Sequence, residues 1–143
     1  MKKILLIVLI VLLVVSCLIC VVACKDKKST ENTFDTTKSY KSEEIKFWIG
    51  IGKAYTTLED SKFDVFVSVS GGEFESWLQG TYTYDEESNA LVITATWEDN
   101  GDKTTKLTGA TSGQAMTYKF TDGVCEISVD IPSAGSQVFE IVC

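Results

Sequence analysis

Two hydrophobic rhythms divide this chain. After the basic start Met1-Lys2-Lys3, the stretch from Ile4 to Ala23 is apolar and carries no charge. From Ile45 onward the rhythm becomes period two. Ile45, Phe47, Ile49 and Ile51 alternate with Lys46, Trp48 and Gly50, and Phe63, Val65, Val67 and Val69 alternate with Asp64, Phe66 and Ser68. Tyr82 and Tyr84, then Leu91, Ile93, Ala95 and Trp97, continue the pattern. Alternation of this kind, rich in β-branched and aromatic residues, predicts half-buried strands. Turn residues separate them: Glu59-Asp60-Ser61, Gly71-Gly72, Glu86-Glu87-Ser88-Asn89 and Asp99-Asn100-Gly101-Asp102.

The pattern predicts strands near 45–51, 53–58, 63–70, 79–85, 90–98, 103–109, 115–121, 124–131 and 137–142, with a short turn over Glu73–Leu78. The links are short, so neighbours in sequence are expected to pair antiparallel. The expected fold is all-β: an antiparallel meander of about eight strands closed into an up-and-down barrel, which removes exposed edges. A two-sheet sandwich is the alternative.

The C-terminal third yields an explicit register. Asp122-Gly123 is a two-residue hairpin signal and pairs Thr121 with Val124. Counting outward sets Phe120 against Cys125, Tyr118 against Ile127 and Met116 against Val129, all on one face. A second turn through Pro132–Ser136 pairs Ile131 with Gln137, Val129 with Phe139, Ile127 with Ile141 and Cys125 with Cys143. Directly opposed Cβ atoms approach disulfide reach, so a Cys125–Cys143 disulfide is expected in an oxidising compartment. Two reduced, buried thiols are the alternative.

The N-terminal run has the charge and apolar pattern of a secretory signal, and is also long enough to span a bilayer. Residues 25–44, KDKKSTENTFDTTKSYKSEE, follow as a polar stretch whose only large apolar groups are Phe34 and Tyr40. Such a composition buries too little to offset its ordering entropy, so 24–44 reads as a tether of roughly 25 Å r.m.s. span. The folded domain is then 45–143.

Charge narrows the partners. The chain holds 13 lysines and no arginine or histidine, against 20 acidic residues, for a net charge of −7. Removing residues 1–23 takes away Lys2 and Lys3, which moves the charge to −9. That acidity argues against nucleic acid. Without histidine or arginine, the commonest general base and oxyanion clamp are missing, and no enzyme activity is expected. Glu86-Glu87, Glu98-Asp99 and Asp102 lie in turns as solvated charge, and no metal or cofactor is implied.

Candidate binding residues fall into two groups. Tyr82, Tyr84, Trp97, Met116, Tyr118, Phe120 and Phe139 are placed to line an interior that either is filled or holds one small apolar ligand. Trp48 and Phe66 fall on the opposite faces of their strands and are candidate surface contacts for a protein, glycan or membrane partner.

Two resemblances place the chain further. Val21-Val22-Ala23-Cys24, at the end of the apolar run, resembles the bacterial lipobox. The resemblance implies a signal peptide over 1–23, lipidation of Cys24 and an acyl anchor at the cell membrane or outer membrane, on its extracytoplasmic face. Val14-Val15-Ser16-Cys17 fits the same pattern, and an uncleaved membrane anchor is the third alternative. Gly80-Thr81-Tyr82-Thr83-Tyr84-Asp85, followed by Ala90–Trp97, resembles the hairpin of small bacterial lipocalin-like lipoproteins. The lipocalin Gly-x-Trp is absent here, the order being Trp48-Ile49-Gly50. This second resemblance implies a barrel that holds a small apolar molecule. A surface scaffold binding a protein or glycan is the alternative function.

Overall fold

A computed structural model describes residues 33–98 and 104–143. The described residues form only strands, turns and loops. The strands are β1 (Tyr40–Lys41), β2 (Ile45–Phe47), β3 (Gly52–Glu59), β4 (Lys62–Val69), β5 (Glu75–Asp85), β6 (Ala90–Thr96), β7 (Lys106–Leu107), β8 (Ala115–Thr121), β9 (Val124–Ile131) and β10 (Gly135–Val142). They pair antiparallel in the order β1-β3-β4-β5-β6-β8-β9-β10, with β2 also on β3 and β7 also on β9. Cα atoms of β1 come within 8 Å of β10 without forming a ladder. The fold is therefore an up-and-down barrel, nearly closed, with one open seam.

Alternation explains the core. Ala54, Thr56 and Leu58 of β3 point inward, as do Phe63, Val65 and Val67 of β4 and Leu91, Ile93 and Ala95 of β6. Cys125, Ile127, Val129 and Ile131 of β9 meet them together with Phe139 and Ile141 of β10. Every one of these is essentially removed from water, so the hydrophobic term of folding is concentrated inside the barrel. Gly80 of β5 lies close against the β6 backbone. A Cβ there would stand 2.2 Å from the Thr94 carbonyl oxygen and 2.7 Å from Ala95 Cα.

Several expectations are corrected. The first predicted strand stops at Phe47, because Trp48 and Ile49 turn into the left-handed region with φ of 49° and 55°. Gly50 N–H then donates to the Phe47 carbonyl (3.1 Å), and the chain reverses. Phe47 turns its ring over Gly52, where a Cβ would lie 2.1 Å away, so the missing side chain makes room for the aromatic one. In the turn expected at Glu73–Leu78, Glu75–Leu78 instead form the start of β5, with a register shift opposite Val65 and Phe66.

The tether is also shorter than composition implied. Phe34 is buried, β1 begins at Tyr40, and Ser42 is buried against β3, so residues 34–44 belong to the barrel. The Ser42 N–H donates to the Thr56 carbonyl (3.0 Å), and its hydroxyl accepts from the Thr56 N–H (3.0 Å). That side chain substitutes for a ladder carbonyl and lets one edge strand break at 42–44 and resume as β2. Residues 24–32 lie outside the described residues.

In the C-terminal third, Thr121 with Val124 and Phe120 with Cys125 pair as expected. Beyond them β8 leaves β9 for β6, so Tyr118 faces Leu91 and Met116 faces Ile93 rather than Ile127 and Val129. The vacated edge of β9 is taken by β7, with Lys106 against Asp130 and Leu107 against Val129. The last hairpin is two residues out from the expected register. Pro132 and Ser133 (φ 60°) form a tighter turn, and Gly135 pairs with Ile131. Cys125 consequently faces Ile141, and both Cys125 and Cys143 are free thiols.

Candidate functional site

Six of the seven residues expected inside lie on the interior side of their strands and the seventh, Trp97, packs on the core just beyond β6, but they differ in depth. Phe139, Tyr82 and Phe120 are buried, whereas Tyr84, Trp97, Met116 and Tyr118 are half-buried and pack against the same core. Trp97 follows the end of β6, where its N–H donates to the Ser112 hydroxyl (3.2 Å).

One end of the barrel is closed by aromatics. Phe34 stacks on Tyr40 with centroids 4.5 Å apart, and meets Tyr84 at 5.2 Å, Phe120 at 5.5 Å and Tyr82 edge-on at 5.9 Å. Offset and edge-to-face rings contribute beyond their buried area. The Asp35 N–H donates to the Tyr40 hydroxyl (2.8 Å) and holds the loop over the opening. Sequence reasoning passed over Phe34 and Tyr40, although they are the only large apolar groups in their stretch.

Two interior hydroxyls stand out. The Tyr82 and Tyr118 Oη atoms are buried and have no hydrogen-bond partner. Burial pushes the Tyr118 phenol up to about 12, with Cys125 and Asp130 adding to it, and raises Tyr82 as well. The Cys125 thiol, buried and donating to the Tyr118 carbonyl (3.5 Å), is likewise pushed up to about 12, chiefly by burial. Burial also raises Cys143. Neither thiol is a ready nucleophile at neutral pH, since thiolate is the reactive form.

The outer face carries a second aromatic group. Tyr55 of β3 stacks on its cross-strand partner Phe66 (5.1 Å), and Phe74 meets Tyr55 edge-on at 4.8 Å. All three rings are half-exposed, and Lys41 Nζ sits 3.8 Å above the Tyr55 ring centre. Beside Phe66, Asp64 accepts from the Ser76 hydroxyl and from Gln79 Nε2 (3.5 Å). Burial raises its carboxyl above the ordinary value, and those two bonds counter the rise. Phe66 thus sits on the outer face as expected. Trp48 does not join it: half-buried in the turn after β2, it packs edge-on against Phe47 at 4.8 Å. Tyr55 and Phe74 were the missed members, and Tyr55 was legible as the outward residue opposite Phe66.

Lys41 also borders the open seam. There Lys41, Glu43, Glu44 and Ile45 face Val138, Glu140 and Val142 across a groove of about 620 Å³. Among the carboxylates weighed for chemistry, Glu86, Glu87 and Glu98 are exposed, while Asp99 and Asp102 lie outside the described residues. Cys24 and Cys17 lie outside them too. Among the described residues no group of three or more histidines, cysteines or carboxylates is placed to hold a metal. No protein-family model, curated protein or solved structure matches this chain.

Proposed function

We propose that this chain is a lipid-anchored envelope protein whose barrel recognises a macromolecular partner, protein or glycan, on its outer face. The observation that carries the reading is the half-exposed ring set Tyr55, Phe66 and Phe74, with Lys41 over it and the Asp64–Ser76–Gln79 cluster beside it. Aromatic rings beside oriented polar groups provide contact area at small entropic cost. The inward positions, by contrast, are occupied by fully buried side chains from Leu58 to Ile141. Anchoring rests on Val21-Val22-Ala23-Cys24, with Cys24 carrying the acyl chains.

The test is capture of surface proteins and glycans by the purified chain, compared with a Tyr55→Ala/Phe66→Ala variant. Loss of capture at unchanged thermal stability supports the reading, and undiminished capture overturns it.

A second reading, carriage of a small apolar ligand with one polar group, has its own support in the unpartnered Tyr82 and Tyr118 hydroxyls. A native mass spectrum of protein taken from membranes tests it. An adduct lost on denaturation, and weakened by Tyr118→Phe, is the expected result; a bare lipidated chain overturns it.

A further inference from the structure

The seam is an incomplete pairing surface. β10 is an eight-residue strand, paired along its whole length with β9, and no described strand pairs its other edge. Its alternation is fixed by one bond: Cys143 N–H donates to the Gly123 carbonyl (2.9 Å) on the β9 side. Residues of odd number therefore direct their backbone groups to β9. Ser136, Val138, Glu140 and Val142 direct their N–H and C=O groups into the seam. The register with β9 is unbroken, and β10 contains no proline, lysine or bulge, the usual devices that blunt an exposed edge. Val138 and Val142 are also 46% and 61% exposed on the outer side.

The opposite wall tells what fits. Cα atoms of β1 come within 8 Å of β10, and Lys41, Glu43, Glu44 and Ile45 line the groove opposite Val138, Glu140 and Val142. Glu43 and Glu44 on that wall and Glu140 on β10 set three carboxylates against one ammonium, and that ammonium, Lys41, is turned over the Tyr55 ring. A strand laid along Ser136–Glu140 meets unpaired backbone groups, the exposed Val138 and net negative charge. A second copy of this chain would bring its own Glu140 and a net charge of −7 to the same place, which like-charge repulsion opposes.

We propose that the seam takes an extended segment of a partner protein, with alternating apolar and basic side chains, as an added strand along β10. Backbone bonds supply the attachment, and alternate side chains supply the selection. The inference rests on the partner-binding reading and deepens it, naming a protein segment and the mode by which it is held.

The probe is a fluorescein-labelled, end-capped octapeptide alternating lysine and valine, titrated into the full chain in mild detergent. A control peptide is N-methylated at the alternate amides that would face β10. Expected are slower amide exchange at Ser136, Val138 and Glu140, and binding weakened at least about tenfold both by N-methylation and by Glu140→Lys, a loss readily resolved by anisotropy. Equal binding of the methylated peptide, or absence of binding, overturns the proposal. So does peptide-free dimerisation that protects the same amides, since it assigns the edge to a second copy. The two readings fail separately. Binding lost in Tyr55→Ala/Phe66→Ala without β10 protection keeps the outer-face reading and sinks strand addition. β10 protection indifferent to those two residues does the reverse.

Discussion

Phe34 stacks on Tyr40, six residues later, and the pair closes one end of a barrel that its own polar neighbourhood gave no sign of joining. Phe34→Ala removes a buried ring from a cluster of four other aromatics, and such truncations cost about 3–5 kcal/mol. Urea unfolding followed by tryptophan fluorescence is expected to show that loss, with Phe34→Leu keeping most of the wild-type stability. A midpoint unchanged in Phe34→Ala would mean that the ring does not contribute to the fold.

Gly80→Ala is expected to destabilise by about 1–3 kcal/mol, the usual range for forcing atoms into packed space. The obstruction is backbone, the Thr94 carbonyl and Ala95 Cα, and neither moves without displacing β6 from β5. Thermal melts of the alanine and serine variants check this, and an unaltered melt in both would remove the close approach as a constraint.

Base is expected to unfold this protein early. Tyr118 and Cys125 hold their protons to about 12, against ordinary values of 10.0 and 9.0. Between those limits the unfolded chain has lost protons that the folded chain keeps, so stability is whole below pH 9 and declines as pH rises toward 12. Urea midpoints at pH 8, 10 and 11 follow the decline, and Tyr118→Phe is expected to flatten its upper part. Burial also raises Tyr82 and Tyr84, so ultraviolet titration should show several phenols ionising late in the wild type, with one fewer in that variant.

Much of the architecture was readable from period two alone. The strands 115–121 and 124–131 have the bounds expected of them, and Asp122-Gly123 fixed the first two pairs of their hairpin. The failures share a cause. A two-residue slip keeps every apolar side chain on the same face, so alternation in β10 is blind to it; only the turn at Pro132–Gly135 decides. Likewise the departure of β8 toward β6 is settled by which edge lacks a partner, a non-local fact. The outward Phe66 was legible, but Phe34 was not, since an average over a polar stretch conceals one buried ring.

Anchoring offers a separate check. Cys24→Ser is expected to move the protein from the membrane fraction to the soluble envelope fraction, read by fractionation and intact mass. Retention of the variant with its N-terminal segment attached would instead support an uncleaved membrane anchor.

The divided first strand has a mechanical consequence. Load applied through the N-terminus reaches Phe34 and then β1, whose ladder with β3 is only Tyr40–Leu58 and Lys41–Thr57, before it reaches β2 beyond the Ser42 break. Under tension the barrel should therefore yield in steps, the aromatic plug first and the short strand next, while β3 to β10 keep their ladders. Pulled from its N-terminal side, the fold carries its own release point at β1, beside the seam along β10.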